Sequence, residues 1–312
     1  MKVLFVCSGN SKEETYSLAH QKPFVYEQRM QLVKKGIDTD VFLIQGRGLI
    51  GYMSNLPILN KQIDMGGYDL VHAHYGLAGM FAVMQKRCPV VITFQGCDIN
   101  RRGSRIISRI AMHYARHNVF VSRDLAFKAR AKSRFSIIPY GVDCDTFMPG
   151  DKYECRKELN LDCNRYIVLF SSSFDRVEKN YPLARQAVEL VGNVQLMELS
   201  KGYSREEVNK LFNACDLLLL TSLREGSPQV IKEAMACNCP IVSTDVGDVK
   251  ELIGELHGCY ISSFNPYDVA ENIRNALTFG KRTSARDRVM QLDNAAISER
   301  IFTIYREILE RP

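Results

Sequence analysis

Apolar and polar positions fall in blocks along the chain, with short, wholly apolar runs followed by stretches of helical spacing. Val3–Cys7 is apolar throughout, as expected of a parallel strand covered on both faces, and a Ser-Gly-Asn turn follows it. Phe24, Val25, Gln28, Leu32 and Val33 fit a helix over roughly 22–35, stopped by Gly36, with a strand over 40–44 after it. Further strands are expected at 69–72, 90–94, 118–122 and 136–139, and helices at 104–117 and 124–132. The stretch 45–65 reads as non-strand. Such alternation predicts a right-handed, doubly wound parallel sheet.

Near residue 150 the pattern restarts. The segment PYGVDCDTFMPGD (139–151) holds two prolines, two glycines and three aspartates and reads as a linker. Strands are then expected at 166–171, 194–199, 216–220, 240–243 and 259–261, with helices near 180–191, 204–214, 228–236 and 248–254. The expected division is 1–148, 149–294 and a last helix over 295–312. Two such α/β units place the natural ligand site in a cleft between them. A single eight-unit barrel fits poorly, because of the linker and the non-strand stretch.

Composition narrows the class. The chain has 312 residues, 46% apolar and 24% charged, as ordinary globular proteins do. Its apolar runs are too short to span a bilayer, and the one after Lys2 ends at Cys7, short of a secretory segment. A cytoplasmic protein is expected, with attachment to the inner face of the cell membrane as a further expectation. Ten scattered cysteines include no C-x2-C pair and are expected to be buried or half-buried free thiols.

Charge is unevenly placed. Residues 1–150 hold 20 Lys/Arg and 11 Asp/Glu, whereas residues 151–312 hold 21 and 24. Ten basic residues and a single acid, Asp124, fall within 101–134. Ile106, Ile107, Ile110 and Tyr114 form an apolar stripe there, with Arg102, Arg105, Arg109 and Arg116 elsewhere around it and Arg101 just before it. That pattern suits a membrane-surface helix or an amphipathic helix docked on the sheet. No aromatic residues interleave the charges, so nucleic acid is not an expected partner.

Several chemistries fail on spacing. The turn after the first strand has one glycine where a dinucleotide fingerprint needs three, no GxxxxGK[ST] occurs, and no G-x-S-x-G elbow occurs. His72 and His74 share a strand face but lack a third ligand, leaving structural hydrogen bonding or the lining of an acceptor site. His113 and His117, among arginines, are poor metal ligands. The strongest signal is the stretch from Thr221 to Met235. A strand ends, Glu225-Gly226 turns, Ser227 suits an N-cap and Pro228 the first helical position. Free N–H groups at that helix start can hold a phosphate or diphosphate. Two carboxylates there, Glu225 and Glu233, would repel the phosphate itself and suit the neutral hydroxyls of a sugar and a ribose on either side.

The residues EGSPQVIKEAMACNCPIVSTDVGDVKELI (225–253) closely resemble the retaining nucleotide-sugar glycosyltransferases of family 4, which have the GT-B fold of two Rossmann-like domains facing a cleft. The similarity extends to IPYGVDCDTFMP (138–149), DLVHAHYGLAG (69–79), VVITFQGCDIN (90–100), EKNYPLARQAV (178–188) and FNPYDVAENI (264–273). The resemblance implies that Glu225 contacts donor-sugar hydroxyls and Glu233 the nucleotide ribose. It implies that backbone amides around Gly226, Ser227, Pro228, Gln229 and Val230 hold sugar and diphosphate. Arg176 and Lys179 would neutralise the leaving diphosphate in place of a metal, so no cofactor is expected. The last helix would pack back on the N-terminal domain.

Three positions depart from the family pattern. Gln95 stands where a histidine is usual, and glutamine can donate a hydrogen bond but cannot carry a proton. The usual Gly-Arg pair falls on Ser173-Phe174, leaving Arg176 as the substitute, and the first loop, which usually carries a Gly-Gly, offers only Gly9 as a donor-binding residue. The expected reaction moves a sugar from a UDP- or GDP-sugar, UDP by family frequency, to a glycan or polyprenyl-diphosphate-linked acceptor. His74 and the arginines of 101–109 would lie on the acceptor or membrane side. The rival readings are an epimerase or phosphorylase of the same fold, and a weakly catalytic sugar-nucleotide binder.

Overall fold

The structure, a computed structural model, describes residues 1–9, 18, 22–46, 48–200 and 202–310. It divides into two compact units: Met1–Gly141 with Asn294–Pro312, and Val142–Asp293. Among the described residues, unit 1 is built on six parallel strands: β1 (Lys2–Ser8), β2 (Asp38–Ile44), β3 (Leu70–His74), β4 (Val90–Phe94), β5 (His117–Phe120) and β6 (Phe135–Ile137). Their order is β2-β1-β3-β4-β5-β6. Unit 2 holds β7 (Tyr166–Phe170), β8 (Val194–Glu198), β9 (Leu217–Leu220), β10 (Ile241–Thr244) and β11 (Cys259–Ser262), in the order β11-β10-β9-β7-β8. All registers are parallel, Val168 facing Leu217 across β7 and β9. Each sheet is an open, doubly wound one of Rossmann type, and together they make the GT-B architecture.

The apolar runs are strands because both faces are covered. Val3 to Cys7 and Leu217 to Leu220 have no exposed surface. Local signals set several helix starts. Asp151 caps Lys152–Glu158, and Ser204 with Glu207 forms a reciprocal capping box on Arg205–Ala214. The non-strand stretch proves to be two helices, Gly48–Met53 and Leu56–Gly66. Strand β5 covers His117–Phe120, and the preceding helix, Arg102–Tyr114, stops before His117. His113 and His117 therefore do not share a helix; His117 Nε2 meets Ser136 Oγ at 3.0 Å.

Both sheets reverse direction of winding beside their first strand, between β1 and β3 and between β7 and β9. Loops leaving the carboxyl ends of two such strands diverge to opposite faces and open a crevice for ligands. The break between units falls at Gly141, before the expected 148. The chain leaves and re-enters unit 1 there, and Asn294 Oδ1 would lie 2.5 Å from a Cβ on Gly141. Ile297, Ile301, Ile304 and Tyr305 of the last helix, Asn294–Glu310, are buried in unit 1. Its Tyr305 hydroxyl meets His72 Nδ1 at 2.5 Å, while His72 Nε2 meets Thr93 Oγ1 at 2.7 Å.

Burial of His72 pushes its pKa down from the usual 6.5 to about 3. Below pH 6.5 the unfolded chain takes up a proton that the folded chain refuses, so stability falls as pH drops toward 3. The slope from this one residue is about 1.4 kcal/mol per pH unit. Urea midpoints measured between pH 7 and 5 should fall more steeply for wild type than for His72→Gln. Equal slopes would show that His72 is not held neutral.

Candidate donor site in unit 2

Three loops at the carboxyl ends of β7, β9 and β10 are tied together. Thr221, just after β9, donates its hydroxyl to the carbonyls of Lys179 and Asn180 at 3.0 and 3.1 Å. Leu223 N donates to Glu178 O at 2.9 Å. These bonds draw the loop after β7 against the loop after β9, at the switch point of the sheet. Across that seam Lys179 Nζ donates to Glu225 Oε1 at 2.6 Å, in an ion pair that is 12% and 17% exposed. On the other side Thr244 Oγ1 donates to Ser222 O at 2.9 Å. Gly247 has φ +62°, and a Cβ there would stand 2.6 Å from Gly226 O, so only glycine lets these two turns touch.

The helix Gln229–Ala236 rises from this seam. Its cap is Pro228, in extended conformation with φ −70° and ψ 119°, and no side chain caps it. Ser227 is therefore not the N-cap that the sequence suggests: its Oγ accepts from Lys232 Nζ at 3.2 Å and is also bonded to Asp248. The amides of Gln229 and Val230 lie in the first turn, where the i−4 ladder supplies no acceptor. One turn on, Glu233 is nearly buried and its Oε1 accepts from Arg205 Nη1 at 2.8 Å. Arg205 lies 4.6 Å above the Phe147 ring. The sequence reading missed Arg205 and Phe147, which are distant along the chain from Glu233. Their only advance signal was the cap that sets Arg205 at a helix start.

Arg176 is not brought to Glu225. It pairs with Glu178 two residues along, in a largely exposed contact. Phe174, where the family's arginine would fall, packs on Tyr181 with ring centroids 4.1 Å apart, and its amide donates to Glu198 Oε2 at 2.8 Å. Lys179 is thus the expected cation that the fold places beside the carboxylate. A cavity of about 320 Å³ lies at the opposite ends of the same strands, lined by Lys152, Tyr166, Asp216 and Arg282 among others. None of the expected site residues lines it.

Unit 1 gathers a second set. Gln95 Nε2 is 2.7 Å from the Tyr140 hydroxyl, which lies 2.8 Å from His74 Nδ1. His74 is fully buried, which drives its pKa well below 6.5, and its Nε2 has no hydrogen-bond partner among the described residues. The turn carrying Gln95 is held by Asp98, which accepts from the amides of Gln95, Gly96 and Gly76 at 2.7 to 3.2 Å. Burial raises the Asp98 pKa, and those backbone bonds oppose the rise. Gly9, expected to face a ligand, extends the β1–β2 ladder: its amide donates to Ile44 O at 2.9 Å. A Cβ on Gly9 would fall 2.8 Å from Leu43 Cβ, which explains the glycine by packing. The rest of that first loop, from Asn10 to Thr15, lies outside the described residues.

The basic segment is only partly free. Arg109 donates to the carbonyls of Lys128 and Ala129, and Arg105 to those of Ile99 and Asn100. Both guanidiniums satisfy helix ends. Arg101 and Arg102 are exposed. The helix Arg102–Tyr114 buries its small residues Ser108 and Ala111 and turns Ile106 and Tyr114 outward, 62% and 67% exposed. Phe127, on the neighbouring helix Arg123–Ala129, is 84% exposed. Ten cysteines are free; Cys97 and Cys163 are exposed, against expectation. Among the described residues no group of three or more His, Cys, Asp or Glu could hold a metal ion, and no helix is long and apolar enough to cross a membrane.

Comparison with known proteins agrees with this architecture. Residues 166–278 match the family described as "Glycosyl transferases group 1", and residues 16–146 match "Glycosyltransferase Family 4". The chain belongs to the family 4-like glycosyltransferases. A putative teichuronic acid biosynthesis glycosyltransferase of Bacillus subtilis is 26% identical, over 66% of this chain and 60% of that protein. A D-inositol 3-phosphate glycosyltransferase of a Mycobacterium species is 23% identical, over 72% and 63%. The chain thus spans about three-fifths of the length of these curated relatives. Among solved structures, a sucrose-phosphate synthase from Thermosynechococcus elongatus superposes with TM-score 0.80 at 18% identity, covering all of both chains. Anabaena HepE in complex with UDP superposes with TM-score 0.76 at 16% identity, over 98% of this chain and all of that one.

Removing Asp98 tests the unit 1 turn. Asp98→Ala leaves three amides without their acceptor and should lower unfolding free energy by about 3 kcal/mol in urea titration. A loss below about 0.5 kcal/mol would mean that water replaces the carboxylate without cost.

Proposed function

We propose that the protein is a retaining glycosyltransferase that takes its sugar from a nucleoside diphosphate donor held by unit 2. The Lys179–Glu225 pair carries this reading, standing at the sheet's switch point beside the start of the helix that bears Glu233. Bond cleavage at the sugar's anomeric carbon leaves negative charge on the β-phosphate. A lysine ammonium fixed beforehand, with first-turn amides, stabilises that charge without reorganising at the moment of reaction. The paired Glu225 keeps a carboxylate oxygen at the same place to accept from sugar hydroxyls. Glu233, oriented by Arg205, is positioned to accept from the ribose. No metal is required by this scheme. Two observations support UDP as the nucleotide: the family resemblance and the UDP complex reported for the HepE fold relative.

The acceptor is a glycan or lipid-linked glycan bound through unit 1, and the work is done in the cytoplasm at an anionic membrane surface. The outward apolar stripe of Ile106, Ile107, Ile110 and Tyr114, flanked by Arg101 and Arg102, supports this partner. An epimerase of the same fold would turn over its nucleotide sugar in buffer alone.

UDP-, GDP- and ADP-sugars should be screened by thermal shift. A UDP-sugar is expected to raise the wild-type midpoint, and Glu233→Ala should abolish the rise. Absence of any shift, or an equal shift in the mutant, refutes the donor site. Lys179→Ala should lower kcat about 10²–10³-fold while leaving the fold intact; a loss under threefold would remove it from the chemistry. Co-sedimentation with phosphatidylglycerol vesicles should be strong for wild type and lost in Ile106→Asp/Ile110→Asp. Equal binding to uncharged phosphatidylcholine vesicles would argue against the basic flank.

A further inference from the structure

Lys232 is an odd residue to find wholly buried in a helix of a soluble core. It sits on the helix Gln229–Ala236, one position before Glu233, and nothing in the proposed chemistry uses it. Its ammonium donates to Ser227 Oγ at 3.2 Å. That hydroxyl in turn bonds the carboxyl of Asp248, which lies in the loop after β10 and is itself nearly buried. Burial lowers the Lys232 pKa to about 8 and raises that of Asp248 to about 6, so near neutrality both are charged and attract each other, with the Ser227 hydroxyl bonded to each. Asp248 Oδ1 has no hydrogen-bond partner among the described residues.

The location of this relay matters more than its energy. Ser227 follows Glu225 and Gly226 in the turn, and Asp248 follows Gly247, whose backbone touches Gly226. Lys179 holds the turn on its β7 side, and the Lys232–Ser227–Asp248 relay holds it on its β10 side. A buried ion pair adds little stability over an apolar pair of equal volume, but it fixes direction, because each partner left alone is costly. Hydrophobic side chains would fill the same space without specifying where the Ser227 hydroxyl points.

We propose that Lys232 and Asp248 are positioning residues that fix the Glu225–Ser227 turn for donor binding by clamping the Ser227 hydroxyl between them. The inference rests on the donor site proposed above. Both would act on the donor only through Ser227.

The test separates position from stability. Lys232→Met/Asp248→Leu removes both charges together and avoids leaving one unpaired. Its thermal midpoint should stay within about 4 °C of wild type. The Kd for UDP, measured by titration calorimetry, should rise roughly tenfold or more because the turn loses its direction. Lys232→Met alone should melt well below the double variant. If the double variant keeps its midpoint and binds UDP as wild type does, the inference is wrong and the donor site survives. If wild type itself binds neither UDP nor GDP, the donor site is wrong and the inference falls with it. Should the double variant melt far lower, Ser227→Ala decides: a Kd raised about threefold at unchanged midpoint supports the clamp, and an unchanged Kd overturns it.

Discussion

In the proposed donor site an anionic leaving group and a carboxylate that would accept from sugar hydroxyls share one small space, and the Lys179–Glu225 ion pair is what would make that sharing tolerable. Without the ammonium, the carboxylate would repel a diphosphate at the helix start. Placed 2.6 Å from it, the ammonium offsets that repulsion and gives the phosphates a fixed cation. The geometry depends on two strands adjacent in space but separated in sequence. β7 and β9 lie side by side only because the chain winds through β8 first. Thr221 then bonds the carbonyl of Lys179 itself, so the backbone seam and the side-chain pair are one arrangement.

Much of the architecture was legible in the sequence. Continuous apolar runs such as Leu217 to Leu220, short and bounded by polar or turn residues, fit strands covered on both faces, and their alternation with helical spacing implied two doubly wound sheets. Strand ends shifted by a residue or two, because apolar periodicity does not mark where the last ladder bond is made. Within the site, local chemistry showed less. Ser227-Pro228 has the form of a cap, yet Ser227 bonds Lys232 and Asp248, pairings that depend on tertiary contact. Arg205, Phe147, Tyr140 and Asp248 were missed for the same reason: each acts on a residue far along the chain. Gly9, expected as a donor-binding residue, packs so closely on Leu43 that a side chain there would clash.

Charge marked the segment 101–134 and overstated how much of it is free. Two of the four arginines singled out, Arg105 and Arg109, close the carbonyl ends of neighbouring helices. The neighbouring apolar stripe went the other way. Ser108 and Ala111 let the helix Arg102–Tyr114 approach Gly76 closely, where a Cβ would collide with Ser108, and the isoleucines are left facing outward. The exposed isoleucines, with Arg101 and Arg102 exposed beside them, are the basis for the anionic surface proposed as the partner of this helix.

A crystal structure of the protein soaked with UDP tests directly whether unit 2 holds a nucleoside diphosphate at the seam between β7 and β9. The phosphates should lie within hydrogen-bond distance of Lys179 Nζ and the amides of Gln229 or Val230, with ribose hydroxyls on Glu233. UDP bound instead in the cavity lined by Lys152 and Arg282, at the far ends of the same strands, would contradict it.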